Sequence, residues 1–220
     1  MGQNISLTAS DGHHLSAYEA GKADDRYALV VLQEIFGVNH HIRSVCDRFS
    51  AQGYHVIAPA LFDRVKGNVQ LDYDKEGIKT GIEIRSLIES EKTLLDIIAA
   101  AKFLKAKKVG IVGYCWGGSL SWRAATQTDI FSAASCWYGA QIPQLKDVKA
   151  NCPVQMHFGG RDESIPLKEV EKIRASQPNA EIYIYENANH GFGCAERSDY
   201  NEIAYKLAQH RTLDFFKKYL

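Results

Sequence analysis

Apolar positions along the chain follow two spacings, one typical of strands and one typical of helices. A β-hairpin is predicted first, because residues 5–9 and 15–19 alternate in polarity around the Asp11-Gly12 pair, which readily turns a chain. Residues 27–32 are apolar throughout, as expected for a strand that is covered on both faces. Further strands are predicted at residues 54–58, 109–112, 133–137, 153–158 and 181–185.

Helices are predicted between these strands, where apolar residues recur every three or four positions. Residues 41–52 form the first helix, and residues 82–104 carry one long helical pattern. Between them, residues 62–81 are polar and glycine-spaced, which predicts a loop or lid over one edge of the sheet. A helix is expected directly after Cys115 and another at residues 168–175. The last helix spans residues 201–219, with an apolar face predicted to hold Ile203, Leu207, Ala208 and Phe215.

Strands and helices alternate after the antiparallel start. This order predicts an α/β fold, with a mostly parallel central sheet and helices on both faces. No repeat, low-complexity tract or linker interrupts the chain, so we expect a single domain over residues 1–220.

Charge is balanced over the 220 residues, with 26 basic and 26 acidic side chains and no basic block. This balance argues against nucleic acid or an anionic membrane as the main partner. No apolar run reaches the roughly 18 residues of a membrane span, and the first residues lack a signal-peptide pattern. We therefore expect a soluble, cytoplasmic protein that is a monomer or a weak homodimer.

The five cysteines are scattered, with no Cys-x-x-Cys pair and no zinc-like spacing. Neither a disulfide framework nor a metal site is predicted. The sequence also lacks a Walker loop and a Gly-x-Gly-x-x-Gly motif, so no nucleotide and no other cofactor is expected.

Cys115 is the residue whose surroundings are most informative about chemistry. It stands in the Gly-x-Cys-x-Gly pattern of residues 113–117, between a predicted strand and a predicted helix. This is the pattern of a nucleophile elbow, with cysteine where serine usually stands. The helix that follows directs its first N–H groups towards the sulfur, which favours a thiolate. A buried structural thiol is the alternative reading of this motif taken alone.

Two further residues complete a candidate catalytic triad. A cysteine nucleophile needs a base to take its proton and a third group to orient that base. Asp162 and His190 each follow a predicted strand, on loops at the carboxyl edge of the sheet, where open α/β folds bind their ligands. Their order after Cys115 is the nucleophile–acid–histidine order of α/β-hydrolases. Together the three residues predict acyl transfer.

Glu34 follows the apolar strand at residues 27–32, where a carboxylate is unexpected. The tip of this strand is where an α/β-hydrolase places one donor of its oxyanion hole. That donor is here the backbone N–H of Ile35, and the backbone N–H of Trp116 is the other. A solvated strand end is the alternative reading of Glu34.

Four motifs resemble those of the dienelactone hydrolase family, a group of α/β-hydrolases. They are QEIFGVN at residues 33–39, GYCWGG at 113–118, GGRD at 159–162 and NHGF at 189–192, in the family's order. The resemblance implies an α/β-hydrolase fold, with Cys115 as nucleophile, His190 as base and Asp162 as orienting acid. It also implies that Glu34 hydrogen-bonds the resting thiol and helps to ionise it when substrate arrives.

The resemblance also implies substrate-binding residues, for which Phe36, Arg85, Tyr138 and Phe192 are the candidates. Family members that cleave dienelactone hold its carboxylate with one arginine in the lid segment and another four residues after the catalytic histidine. Here Cys194 occupies that second position, and the nearest arginine is Arg197. In the lid segment the candidates are Lys75, Lys79 and Arg85. An arginine fork and a lysine point charge are not equivalent for a carboxylate, so this departure puts dienelactone itself in doubt as the substrate.

The predicted reaction is hydrolysis of a small-molecule ester or lactone through a thioester acyl-enzyme. A thiolate leaves a tetrahedral intermediate more easily than an ordinary alkoxide, so enol esters, lactones and thioesters are favoured over simple alkyl esters and amides. Two alternatives remain open at this point. One is a thioesterase or acyltransferase with the same triad, and the other is a non-catalytic relative that binds a small ligand.

Overall fold

The computed structural model describes residues 2–220, which form two compact units, one that ends at Val109 and one that spans Gly110–Leu220. The strands are β1 (Gln3–Thr8), β2 (His14–Ala20), β3 (Tyr27–Leu32), β4 (Tyr54–Pro59), β5 (Val109–Tyr114), β6 (Ala133–Trp137), β7 (Val154–Gly159) and β8 (Glu181–Tyr185). The helices are α1 (His40–Ser50), α2 (Lys75–Ser86), α3 (Ser90–Phe103), α4 (Trp116–Gln127), α5 (Leu167–Ser176) and α6 (Glu202–Tyr219). Short 3-10 helices lie at Leu61–Arg64 and Ile142–Leu145.

The first unit begins with the predicted hairpin. Gly12 turns the chain with φ +83°, a left-handed conformation that glycine adopts without strain, and β1 pairs antiparallel with β2. The strands of this unit are ordered β1-β2-β4-β3, antiparallel between β2 and β4 and parallel between β3 and β4.

The second unit is built on parallel pairs, in the order β5-β6-β7-β8. Every residue of β5, β6 and β7 is buried, as expected for strands that are covered on both faces. Parallel neighbours bring their carboxyl ends to one edge, and the loops that follow β5, β7 and β8 carry Cys115, Asp162 and His190. The predicted α/β class with a mostly parallel sheet is confirmed.

The prediction for residues 62–104 is wrong in two respects. The single helix over residues 82–104 is in fact two helices, α2 and α3, separated at residues 87–89. The predicted loop or lid is helical from Lys75 onwards, because the Asp74 side chain caps α2 by accepting a hydrogen bond from the Gly77 N–H at 2.7 Å. The sequence did not predict this helix because Gly77 and Gly81 lower the helix propensity of the segment.

The predicted apolar face of α6 is half correct. Ala208 and Phe215 are buried, but Ile203 is 82% exposed and Leu207 is 43% exposed. The buried side of α6 includes Thr212, whose hydroxyl group lies 3.0 Å from His157 Nε2 on β7. This polar contact lies on the buried side of the helix, and a count of apolar side chains could not reveal it.

Among residues 2–220, no helix is both long enough and apolar enough to span a bilayer.

Candidate active site

Cys115 lies at a strained turn between β5 and α4. Its backbone has φ +55° and ψ −112°, a region that residues other than glycine rarely adopt. Its backbone N–H donates a hydrogen bond to the Trp137 carbonyl oxygen on β6 at 3.0 Å, which holds the turn against the sheet. The side chain is partly exposed. The backbone therefore presents the sulfur at the carboxyl edge of the second unit.

Two glycines make this turn possible. A Cβ atom at Gly113 would collide with the backbone carbonyl group of Gly117, and one at Gly118 would collide with the carbonyl oxygen of Trp137. No side chain fits at either position unless the backbone moves. Close backbone packing at the turn thus explains the glycines at positions 113 and 118.

The structure brings Cys115, His190 and Asp162 together. His190 Nε2 lies 3.2 Å from Cys115 Sγ, and His190 Nδ1 lies 2.7 Å from Asp162 Oδ2. The Asp162 side chain is fully buried, and the His190 side chain is 19% exposed. One imidazole ring therefore connects the thiol to a buried carboxyl group.

The loop after β7 fixes the orientation of the Asp162 carboxyl group. Its other oxygen, Oδ1, accepts hydrogen bonds from the Ser164 N–H at 2.8 Å and the Ile165 N–H at 3.2 Å. The same loop is tied to the loop that carries His190, since the Arg161 N–H donates to the Ala188 carbonyl oxygen at 2.9 Å. These bonds hold the acid and the histidine in register.

Burial alone would lower the pKa of His190, but the opposing contribution of its partners is larger. The Cys115 sulfur, followed by the Asp162 carboxylate, raises the pKa of His190 to about 10. This increase applies when the Cys115 sulfur is ionised, because the charge on sulfur is the largest cause that raises the pKa of His190. A doubly protonated imidazole is the form that forms an ion pair with a thiolate.

Two of the aromatic residues predicted to bind substrate lie in the second unit. The Tyr138 ring packs edge-on against the His190 ring, with centroids 5.3 Å apart, and its backbone has φ +38°. Phe192 is fully buried and stacks on Trp137 at 5.7 Å. A contact of either side chain with substrate stays a prediction.

The remaining predicted residues of the first unit lie on two elements. Glu34 is fully buried, and one of its carboxylate oxygens accepts a hydrogen bond from the Tyr73 hydroxyl group at 2.9 Å. Ile35 is half-buried, and Phe36 is buried against the Tyr73 ring, with centroids 4.4 Å apart. Arg85 is half-buried on α2, one turn after Gly81. Their catalytic and binding roles stay predictions.

Sequence reasoning missed Tyr73. It precedes the Asp74 cap of α2 in a polar stretch without periodicity, so no spacing singled it out. The only available signal was its aromatic character within a polar segment.

Trp116 and Arg197 complete the surroundings of the triad. Trp116 is the first residue of α4, so its backbone N–H belongs to the first turn, whose amides point out of the helix end. The Arg197 guanidinium group packs against Gly191, the residue after His190, and lies 3.6 Å from an Asp199 carboxylate oxygen. Cys194, at the position of the family's arginine, is fully buried.

The turn at Cys115 and the parallel strands that support it define an α/β-hydrolase. The crystal structure of a candidate dienelactone hydrolase from Klebsiella pneumoniae superposes with a TM-score of 0.83 at 30% identity, covering 99% of this chain and 100% of that chain.

Sequence comparison identifies the family within this class. The dienelactone hydrolase family model matches residues 15–220. A carboxymethylenebutenolidase of Pseudomonas putida is 31% identical over 225 residues, which cover 97% of this chain and 95% of the relative. A candidate carboxymethylenebutenolidase of Synechocystis sp. is 33% identical over 209 residues, which cover 86% of this chain and 85% of the relative. The chain therefore belongs to the dienelactone hydrolase family, and it is a carboxylic ester hydrolase.

Proposed function

We propose that this enzyme hydrolyses a small activated ester or lactone, of the dienelactone type, with a Cys115-His190-Asp162 triad. The observation that carries the proposal is the pair of contacts made by His190, 3.2 Å to the Cys115 sulfur and 2.7 Å to the Asp162 carboxylate. Both distances fit the roles of a nucleophile, its base and an orienting acid.

The reaction has two acyl-transfer steps. The Cys115 thiolate adds to the substrate carbonyl carbon, and the carbonyl electron pair moves onto oxygen. When this intermediate collapses, the bond to the leaving oxygen breaks, and the protonated His190 ring donates a proton to that oxygen. The thioester is then attacked by water, which loses a proton to His190, and the thiolate leaves as the acid is released.

The oxyanion is stabilised in this proposal by the backbone N–H groups of Trp116 and Ile35. Removing one donor from such a site costs about 3 kcal/mol of transition-state stabilisation. The role of Glu34 in ionising the thiol rests on the family resemblance. Its carboxylate is fully buried and accepts a hydrogen bond from the Tyr73 hydroxyl group.

Sulfur restricts the substrate to compounds with good leaving groups. The tetrahedral intermediate expels a thiolate more readily than an ordinary alkoxide, so a simple alkyl ester mostly reverts to substrate. Enol esters and lactones of enols release a stabilised oxyanion, which competes with the thiolate. The names of the curated relatives, carboxymethylenebutenolidases, agree with an unsaturated lactone as substrate.

The Arg197 guanidinium group places a positive charge near the catalytic histidine. It packs against Gly191, next to His190, although Asp199 neutralises part of its charge. A positive group at this place supports a substrate that carries a carboxylate. Comparing a lactone acid with its amide, in wild type and in Arg197→Gln, measures this preference as a ratio of kcat/KM values.

The decisive test is a panel of lactones, enol esters and acyl thioesters assayed with wild type, Cys115→Ala and Cys115→Ser. We expect Cys115→Ala to lower kcat/KM by about 10⁴-fold or more, because the nucleophile is lost. Cys152→Ser is the matched control, since it changes a half-buried thiol elsewhere and should leave activity unchanged. Full activity of Cys115→Ala on these substrates would refute the triad.

The same assays separate the alternatives. A covalent adduct of acyl mass at Cys115, trapped with an activated ester, supports the thioester step. A thioesterase would prefer acyl thioesters within the panel, and an acyltransferase would transfer the acyl group to an added alcohol or thiol faster than to water.

A further inference from the structure

The turn after β3 carries Glu34 and Ile35 and is held by a second segment of the first unit. This second segment, residues 69–81, contains the stretch that leads into α2 and the first two turns of that helix. It contacts each of the residues from Glu34 to Gly37 in succession. We call it the buttress segment.

Tyr73 of the buttress segment makes two of these contacts. Its hydroxyl group donates a hydrogen bond to a Glu34 carboxylate oxygen at 2.9 Å, and its ring packs on the Phe36 ring, with centroids 4.4 Å apart. The backbone N–H of Leu71 also donates to the Phe36 carbonyl oxygen at 2.9 Å. One short stretch thus holds the residues on both sides of Ile35.

Gly37 is held by backbone pairing. It forms an isolated antiparallel bridge with Gln70, and it has φ +80°. A Cβ atom there would collide with the Val69 carbonyl oxygen, so the two backbones touch directly. Glycine meets both demands.

Gly81 of α2 makes the closest approach to Ile35 itself. A Cβ atom at Gly81 would collide with the Ile35 carbonyl oxygen and would lie 3.3 Å from the Ile35 Cβ atom. Gly81 lies inside a helix, where alanine would be preferred by about 1 kcal/mol on propensity alone. The glycine therefore permits close packing of α2 on the Ile35 backbone.

We propose that Gly81 and Tyr73 are positioning residues for the reaction. Gly81 packs on the Ile35 carbonyl group and Tyr73 holds the Glu34 side chain, and these two contacts fix the short backbone stretch that carries the proposed Ile35 N–H donor. The inference rests on the proposed function, in which the Ile35 amide is an oxyanion donor. The buttress segment thus acts as a fixed support for the oxyanion hole.

The test uses one reaction that needs the oxyanion hole and one that does not. Hydrolysis of p-nitrophenyl acetate passes through a tetrahedral oxyanion, whereas alkylation of Cys115 by iodoacetamide is a displacement at saturated carbon and forms none. Gly81→Ala should lower kcat/KM for the ester by about ten- to a hundredfold, less than complete loss of a donor. It should leave the alkylation rate unchanged.

Tyr73→Phe is the second variant, because it removes one hydroxyl group and keeps the ring packing. We expect kcat to fall by about tenfold with KM unchanged, as for loss of a hydrogen bond to a charged group. Gly67→Ala is the matched control in the neighbouring loop, since a Cβ atom there meets nothing within 4 Å. It should retain wild-type kinetics.

Each outcome decides between the two proposals. Unchanged ester kinetics in Gly81→Ala and Tyr73→Phe, with an active wild type, would overturn the positioning role and leave the proposed function standing. Parallel loss of alkylation and hydrolysis would also overturn it, because the damage would then lie at the thiol. A wild type that cleaves no activated ester would overturn the proposed function and this inference with it.

Discussion

The two nitrogen atoms of the His190 ring each face one partner that affects its pKa. Nδ1 lies 2.7 Å from an Asp162 carboxylate oxygen, and Nε2 faces the Cys115 sulfur. Both partners are negative when the thiol is ionised, and together they raise the pKa of His190 to about 10. The protonated ring is the general acid for the leaving oxygen, so acylation should decline only as pH rises through that value.

Asp162→Asn tests this pairing. The amide keeps an oxygen for the Ser164 and Ile165 N–H groups, but it replaces the negative charge and offers a donor to Nδ1. We expect kcat/KM to fall by about 10²- to 10⁴-fold, because the ring takes the wrong tautomer. The alkaline decline should also begin at lower pH, since the pKa of His190 is no longer raised by a carboxylate.

The measurement is kcat/KM for a lactone across the neutral and alkaline range, because the proposed mechanism transfers a proton from His190 to the leaving oxygen. Asp24→Asn, in an exposed loop, is the control and should keep the wild-type profile. An Asp162→Asn profile that matches wild type would contradict the role of this carboxylate.

At the level of elements, a buried polar network joins β7, β8 and α6 in the second unit. Gln155 donates through Nε2 to a Glu181 carboxylate oxygen at 2.9 Å, which leaves its Oε1 to accept from His157 Nε2 at 2.8 Å. His157 Nδ1 then accepts from the Tyr185 hydroxyl group at 2.8 Å. The chain of donors requires a neutral His157, and burial lowers its pKa to about 3.

This network predicts acid sensitivity. The unfolded chain protonates His157 near pH 6.5, whereas the folded protein resists protonation until about pH 3. The contribution of neutral His157 to the free energy of unfolding is therefore fully present above the unfolded pKa. Below it, the free energy of unfolding falls as the pH decreases, by up to about 1.4 kcal/mol per pH unit. His157→Gln should reduce this slope, although it lowers stability at neutral pH.

Urea unfolding at a series of acidic pH values measures the slope for wild type and variant. His210→Gln is the control, because the His210 side chain is 72% exposed and should leave the slope unchanged. Equal slopes in wild type and His157→Gln would contradict the assignment.

The elements also show what the sequence reveals and what it does not. Strands β3, β6 and β8 were predictable to the residue. The first two are buried, short apolar runs, and β8 is a short run rich in isoleucine and tyrosine that alternates in character. Helix α2 was not, because Gly77 and Gly81 serve close packing against other backbone and so weaken the local helical signal. The buried face of α6 includes Thr212, whose hydrogen-bond partners lie on another element.

The residues of the candidate site also fall into two groups, those that the sequence predicts and those that it does not. Cys115, Asp162 and His190 each stand in a local motif, so their positions after strands could be proposed from sequence. The contacts of Tyr73 and Gly81 depend on a turn some forty residues earlier, and no local pattern encodes such a contact.

Across the whole molecule, the five cysteines differ sharply in their surroundings. All are free thiols, and Cys46, Cys136 and Cys194 are buried. Burial raises the pKa of the Cys46 and Cys136 thiols, and it raises the pKa of Cys152 to about 11. Among the five, only Cys115 combines partial exposure with an imidazole nitrogen 3.2 Å from its sulfur.

Native protein treated with iodoacetamide at neutral pH should therefore lose one thiol rapidly, whereas unfolded protein should lose all five. Peptide mass spectrometry locates the modified residue, and Cys115→Ala, as control, should show no rapid phase. Rapid modification at Cys152 instead of Cys115 would contradict the prediction.

The left-handed backbone conformation at Cys115 supports turnover at the expense of thermal stability. Glycine would relieve the strain at φ +55°, so Cys115→Gly should raise the melting temperature, by an amount equivalent to about 1 kcal/mol, while abolishing turnover. A laboratory selection that rewards survival at high temperature alone would then favour loss of the nucleophile. Directed evolution of this chain towards thermal endurance needs a turnover screen in every round.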